Sequence, residues 1–340
     1  MWRSISRHWF LLALTGCLVI GFSWPSILAP FAHSSALRTG IIAVVMVLMG
    51  WTLDPRSIVG NIRRPLPSIL AIGVNVVVVP LLAWPALWIL PTDLAGGLIV
   101  AALVPCTLAS ATVWTRAAGG DDAVAMMTTV VTNVFCFLVA PFGIWLLLRQ
   151  QTQTDIGSQM SGLFVQVVAP LMGGQGLRFL GLAGWADRRK VPLAIIAQTG
   201  ILLMVMLGSV ISAERMAANP AQAGSYGAIA GTAVVCWIVH LAAVGVGYFA
   251  AVATSLPRAQ QIAIAISGGQ KTLMVGLQLA LGCGVSVMPM VLYHIGQLLI
   301  DTLLVRYWVN RSLANGSLAV TPPADGRGEQ KPPAASWGKP

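Results

Sequence analysis

Lys271 is the residue with the most chemistry and the least obvious reason to be where it is. It lies inside Ile262–Leu281, an apolar stretch of bilayer-spanning length, for which about 20 residues suffice. Its neighbours are Ser267-Gly268-Gly269-Gln270 on one side and Thr272 on the other. An ammonium at mid-depth costs about 2.5–3.5 kcal/mol on insertion scales, and paired glycines weaken a helix. Irregular backbone is tolerated at that depth only where protein or a water-filled cavity surrounds it. The pattern predicts a transmembrane helix broken at Gly268 and Gly269, with the break facing a site and a fixed positive charge to draw an anion. The plainer readings of the lysine are a side chain that snorkels to the interface, or one that pairs with a helix-end carbonyl.

A second break sits earlier in the chain. In Gly97–Thr112 the proline at 105 removes a backbone donor and clashes with the preceding turn. Cys106, Thr107, Ser110 and Thr112 add polar atoms beside it. In the next apolar stretch Thr129, Thr132 and Asn133 stand at i, i+3 and i+4 and so share one helix face. Any one of these threonines could simply bond its own helix backbone. The candidate substrate- or ion-binding residues are therefore Lys271, Gln270, Ser267, Thr272, Ser110, Thr107, Thr129, Thr132 and Asn133, with Pro105, Gly268 and Gly269 as helix breakers. No catalytic residue and no metal centre is expected. His240 and Asn75 read as interhelical hydrogen-bonding residues, and Asp301 as the partner of Arg306 in a local ion pair.

These residues need elements to hold them, and composition says which. The chain is 57% hydrophobic and 9% charged, against about 25% charged in a soluble domain. That predicts an all-α polytopic membrane protein embedded in a lipid bilayer. The net charge of +10 is not a nucleic-acid footprint, because most of it falls in short loops where it sets topology. The cysteines, Cys17, Cys106, Cys136, Cys236 and Cys283, all fall inside apolar segments and form no C-x-x-C pair.

The expected spans are Trp9–Leu28, Thr39–Leu53, Pro67–Leu90, Leu94–Thr115 interrupted at Pro105, Ala123–Leu148, Gly157–Phe179, Pro192–Ile211, Ala223–Val252, the broken Ile262–Leu281, and Val285–Trp308. Leu14-Thr15-Gly16-Cys17 resembles a lipoprotein cleavage box, but the apolar run continues past it, so a retained helix is expected. With ten spans and both termini in the cytoplasm, only Arg38, Arg149 and Arg215 lie on the far side and Lys271 within the membrane. Every other Lys and Arg is cytoplasmic, as the positive-inside rule requires. The domains read as residues 1–150, a first five-helix repeat; 151–310, a second; and 311–340, a disordered cytoplasmic tail rich in Pro, Gly and Ala. An odd number of spans inverts the second repeat, and each repeat carries its broken helix fourth. Paired interrupted helices in inverted halves point to a transporter site at their interface.

At these residues the chain resembles the bile acid:sodium symporter family, and more closely its SBF-like branch. Val104–Ala123 and Gly268–Leu273 carry the likeness, and the order of spans extends it from about residue 8 to 309. The resemblance implies ten helices in two inverted repeats and a panel and a core domain. Helices four and nine would cross at their breaks, with three to five and eight to ten as the core. It implies secondary transport of a small organic anion with sodium. The sequence departs from sodium-coupled members where Ala-Ser-Asn after the fourth-helix break becomes Ala109-Ser110-Ala111, and where Ser267 stands at a glutamate position and Lys271 near a glutamine. An ammonium about 4 Å from a second cation is repelled by about 4 kcal/mol at an effective dielectric of 20.

The expected function is therefore secondary transport of a small organic anion in a bacterial inner membrane, sodium-independent or proton-coupled because Lys271 occupies the ion-site region. Na+ or H+ is the candidate coupling ion, and no other cofactor is expected. The alternative is a non-transporting membrane regulator on a transporter scaffold. Gly119-Gly120-Asp121-Asp122 superficially suggests an acid pair for an enzyme, but acids at this position favour the start of the following helix. Substrate identity and oligomeric state have no signature in the residues.

Overall fold

The computed structural model describes residues 2–55, 65–108, 110–148, 155–218 and 226–314. Among them every regular element is a helix and there is no strand. Arg56, Arg63 and Arg64, the linker over 149–154 and the tail over 315–340 lie outside the described residues.

Helices α1 (Trp2–Ser23) and α2 (Pro25–His33) meet at 103°. The first span expected over Trp9–Leu28 is therefore bent at Trp24. Pro25 has no N–H with which to continue α1 and is suited to the first turn of a new helix. Next come α3 (Ser35–Thr52), α4 (Leu66–Ile89), α5 (Thr92–Leu103), α6 (Ser110–Ala117), α7 (Asp122–Leu148) and α8 (Ile156–Arg188). The chain ends in α9 (Lys190–Ala218), α10 (Tyr226–Ala253), α11 (Arg258–Gly269), α12 (Leu273–Cys283) and α13 (Met288–Ala314). The last helix runs past Asn310, where the sequence suggested that the polar tail begins.

Seven helices, α3, α4, α7, α8, α9, α10 and α13, are long and apolar enough to cross a membrane, or eight if the bent α1–α2 pair is one span. Large apolar side chains line their outward faces, with Phe249 70% and Leu303 64% exposed. That is a stable arrangement only in hydrocarbon, and the protein is an integral membrane protein. The pieces α5, α6, α11 and α12 have 12, 8, 12 and 11 residues. At 1.5 Å per residue each covers roughly half of an apolar layer about 30 Å thick.

Packing sorts the helices into two groups. One joins α1, α2, α3, α8 and α9; the other joins α4, α5, α6, α7, α10, α11, α12 and α13. Two reciprocal backbone bonds tie the broken pairs in the second group. Ser286 N–H, just past α12, donates to Asp93 O at the start of α5 (3.4 Å). Asp121 N–H, just past α6, donates to Ala259 O at the start of α11 (2.9 Å). Gly284 ends α12 at φ 69°, a left-handed cap that glycine adopts without cost.

Candidate functional site

The centre of the second group is where α5–α6 and α11–α12 lose their helical hydrogen bonds. Buried backbone groups must find partners elsewhere, and neighbouring helices supply side chains to several of them. Glycines 268 and 269 are still helical; the unwound residues are Gln270, Lys271 and Thr272. The break therefore begins just after the glycines and not at them. Their role is close approach: a Cβ at Gly268 would lie 2.8 Å from Val74 of α4, and one at Gly269 would lie 3.2 Å from the His240 ring of α10.

The carbonyls at the end of α11 are taken by neighbouring helices. Asn75 Nδ2 donates to Gly268 O (3.2 Å), Gln270 O (2.9 Å) and, longer, Ser267 O (3.5 Å). Tyr293 Oη donates to Gly269 O (2.9 Å), and His240 Nδ1 lies 3.1 Å from the same oxygen. Gln297 of α13 pairs with the main chain of Lys271, accepting from its N–H at 2.9 Å and donating to its carbonyl at 3.1 Å. Thr272 N–H crosses to Pro105 O at 2.9 Å.

The first break is held the same way by the predicted face of α7. Thr132 Oγ1 accepts from Cys106 N–H (3.2 Å), Asn133 Nδ2 donates to Cys106 O (2.8 Å), and Thr129 Oγ1 donates to Thr107 O (3.1 Å). The three-residue pattern is thus a clamp on an unwound strand. Thr132 also bonds its own helix at Thr128 O (2.7 Å).

Lys271 is fully buried. Its ammonium donates to Asn75 O (2.6 Å), Asn75 Oδ1 (3.2 Å) and Val104 O (2.9 Å), which matches its three hydrogens. Both carbonyls are available for a local reason. Val104 caps α5, so its oxygen has no amide one turn further on. In α4 a π turn over Val74–Val78 sends Val79 N–H to Val74 O, and residue 80 is a proline. The two amides that would ordinarily reach the Asn75 carbonyl are thus spent or missing. The ammonium also sits at the negative end of the α5 dipole.

Gln270 points the opposite way. Its Oε1 accepts from Thr107 Oγ1 (2.7 Å) and Ser110 Oγ (2.8 Å), and its Nε2 donates to Asp301 Oδ2 (2.5 Å). Lys271, Gln270, Thr272, Thr107, Ser110, Thr129, Thr132 and Asn133 therefore share one network with Pro105. The Ser267 hydroxyl does not join it, because it turns back onto Ala263 O (2.6 Å). Ser110 keeps part of its surface open.

Asp301 needs correction. It is fully buried and faces His240 Nε2 at 3.0 Å, while Arg306 is exposed. Five residues along a helix turn the side chain about 140° away, so the two cannot pair. The signal that finds Asp301 is its depth, since an ionisable residue inside a span is by default a candidate for a functional site. Among the described residues, Asp121 Oδ1 accepts from Ala123 N–H at the start of α7 (3.1 Å), and Asp122 pairs with Arg116.

Residues 8–310 match the SBF-like CPA transporter family. The chain is 25% identical over 298 residues to the sodium-dependent transporter YocS of Bacillus subtilis, covering 85% of this chain and 87% of the relative. It is 23% identical over 280 residues to the symporter YfeH of Escherichia coli, covering 79% and 83%. It is 27% identical over 236 residues to the chloroplast sodium/metabolite cotransporter BASS4 of Arabidopsis thaliana, covering 65% and 54%.

Proposed function

The chain belongs to the SBF-like CPA transporter family, and from that premise we propose that it carries a small organic anion across a bacterial inner membrane through the crossing of α5–α6 with α11–α12. One observation carries the reading. The Lys271 ammonium is bonded to carbonyls of α4 and of the first break, so a fixed cation occupies the meeting point of the two unwound segments. It contributes the positive charge that a bound cation would otherwise supply, and it repels a second one. Coupling is then to H+ and not to Na+. The break residues act as hydrogen-bonding groups and not as metal ligands.

The anion site is built from groups that favour negative charge. Helices α6 and α12 start at the crossing, and helix starts attract anions; in α6 the Ala111 N–H already donates to Thr107 Oγ1 (3.0 Å), which leaves α12 the more open of the two. Thr272 precedes α12 without a side-chain cap bond. The Lys271 charge adds long-range attraction while its donors stay committed to the protein. Ser110, half-open beside Gln270, is the polar group best placed to meet the substrate.

The reading also orders the helices as ten spans in two inverted five-helix repeats, with α1–α2, α3, α4, α5–α6 and α7 matched to α8, α9, α10, α11–α12 and α13. The reciprocal bonds Ser286–Asp93 and Asp121–Ala259 support it, because each links the end of one broken span to the start of the other. The helices of the two packing groups would be the panel and the core, with both termini cytoplasmic. The test is uptake by proteoliposomes from a panel of organic anions under imposed H+ or Na+ gradients. Uptake driven by the H+ gradient and unchanged when choline replaces Na+ is the expected result. A strict Na+ requirement, or no flux for any anion, overturns it.

A further inference from the structure

His240 and Asp301 form a buried pair on the far side of Gln270 from the hydroxyls of Thr107 and Ser110. Both residues are fully buried. His240 Nδ1 is 3.1 Å from Gly269 O, and His240 Nε2 is 3.0 Å from Asp301 Oδ1. The other carboxyl oxygen, Oδ2, accepts from Gln270 Nε2 at 2.5 Å.

Counting hydrogens fixes what the pair holds. A carbonyl oxygen can only accept, so a hydrogen bond from the ring to Gly269 O requires a hydrogen on Nδ1. The contact between Nε2 and Oδ1 needs one hydrogen more. It sits either on the ring, making an imidazolium beside a carboxylate, or on the carboxyl, facing a neutral ring. Either way the pair is electrically neutral and stores one exchangeable proton. Without that proton a ring lone pair faces a carboxylate at 3.0 Å, in a fully buried site where such a repulsion is weakly screened.

We propose that the His240–Asp301 pair is the proton-carrying site of this transporter, and that Gln270 couples its state to the anion site. The inference rests on the transport reading above. The proton enters from water on one side and leaves to water on the other, with no other bond made or broken. When it leaves, repulsion separates α10 from α13 at the point where both hold Gly269, the last residue of α11. Gln270 registers the change because its amide is fixed at both ends. It cannot turn without losing Asp301 at one end and Thr107 and Ser110 at the other.

The surrounding groups leave this role to the pair. From α13, Tyr293 donates to Gly269 O and packs edge-on to the His240 ring, and His294 is bonded to Gln297. From α10, Cys236 bonds Pro289 O; from the first break, Cys106 bonds Thr107 O. Lys271, in the second break, is committed to α4 and α5, and α4 itself contributes no titratable side chain. Arg306 is exposed.

The probe is the proton itself, applied to the full chain in bilayers. On wild-type protein with 15N-labelled histidine rings, magnetic resonance across a pH series should show one ring whose Nδ1 stays protonated while its Nε2 environment changes. His240→Gln removes that ring's signals and so assigns it. In substrate-free proteoliposomes, a pH jump should give a transient current that is lost in Asp301→Asn and in His240→Gln. It should keep its size in His33→Gln, whose ring lies at the rim against Glu214. A current retained in Asp301→Asn, or a His240 ring whose Nε2 never changes across the series, overturns the proposal. If His240→Gln fails to fold, His8→Gln, His33→Gln and His294→Gln assign the other three rings, and the labelled experiment identifies His240 by elimination. Proton-driven anion flux that survives unchanged in Asp301→Asn sinks the pair and leaves the transport reading intact. A titrating pair in a protein that moves no anion does the reverse.

Discussion

Thr272 N–H donates to the Pro105 carbonyl across 2.9 Å, so a main-chain bond joins the two helix breaks directly. The side chains around this bond complete it. Lys271 reaches from the second break to the end of α5, Gln270 reaches to the hydroxyls after Pro105, and Asn75 and Gln297 replace the helical bonds that the unwound residues gave up. Each of these relationships has a consequence that can be measured.

Asn75→Leu removes one amide from three carbonyls at the end of α11 and one acceptor from Lys271. Buried acceptors left without donors cost about 1–3 kcal/mol each. Thermal unfolding of the purified variant should show a loss of at least about 2 kcal/mol, and an unchanged melting temperature would contradict the role given to Asn75.

Pro80→Ala returns an N–H to α4 one residue beyond the π turn. That donor competes with Lys271 for the Asn75 carbonyl. The variant should be as stable as the parent or more so, since proline inside a helix costs about 3 kcal/mol relative to alanine. Its anion flux should fall. Flux at the parental level would show that the π turn does not serve the lysine.

Gly268→Ala places a methyl group 2.8 Å from Val74, inside contact distance. Overpacking of this kind costs about 1–3 kcal/mol, and the push on α4 should lower flux as well. Gly282→Ala is the matched control, because nothing lies within 4 Å of the added atom. Equal behaviour of the two variants would remove the close-approach argument.

Much of this arrangement is legible in the residues themselves. The two breaks announce themselves by Pro105 and by a lysine beside paired glycines, and the face of Thr129, Thr132 and Asn133 follows from helical spacing. What the sequence hid are partners that come from distant helices. Nothing local marks Gln297 as the mate of the Lys271 backbone, or Tyr293 as a donor to Gly269. Nearness in sequence suggests Arg306 as the partner of Asp301, whereas helical geometry turns the two apart and His240, 61 positions away, takes the contact. The bend between α1 and α2 was missed because hydropathy does not report direction, although Pro25 marks the place.

The account stands most directly on Lys271. Substrate-driven current on a solid-supported membrane, recorded with the anion that the uptake panel identifies, should fall at least tenfold in Lys271→Gln, a loss of about 1.4 kcal/mol or more in transition-state terms. A Lys271→Gln protein that folds and carries the same current with the same coupling ion would contradict it.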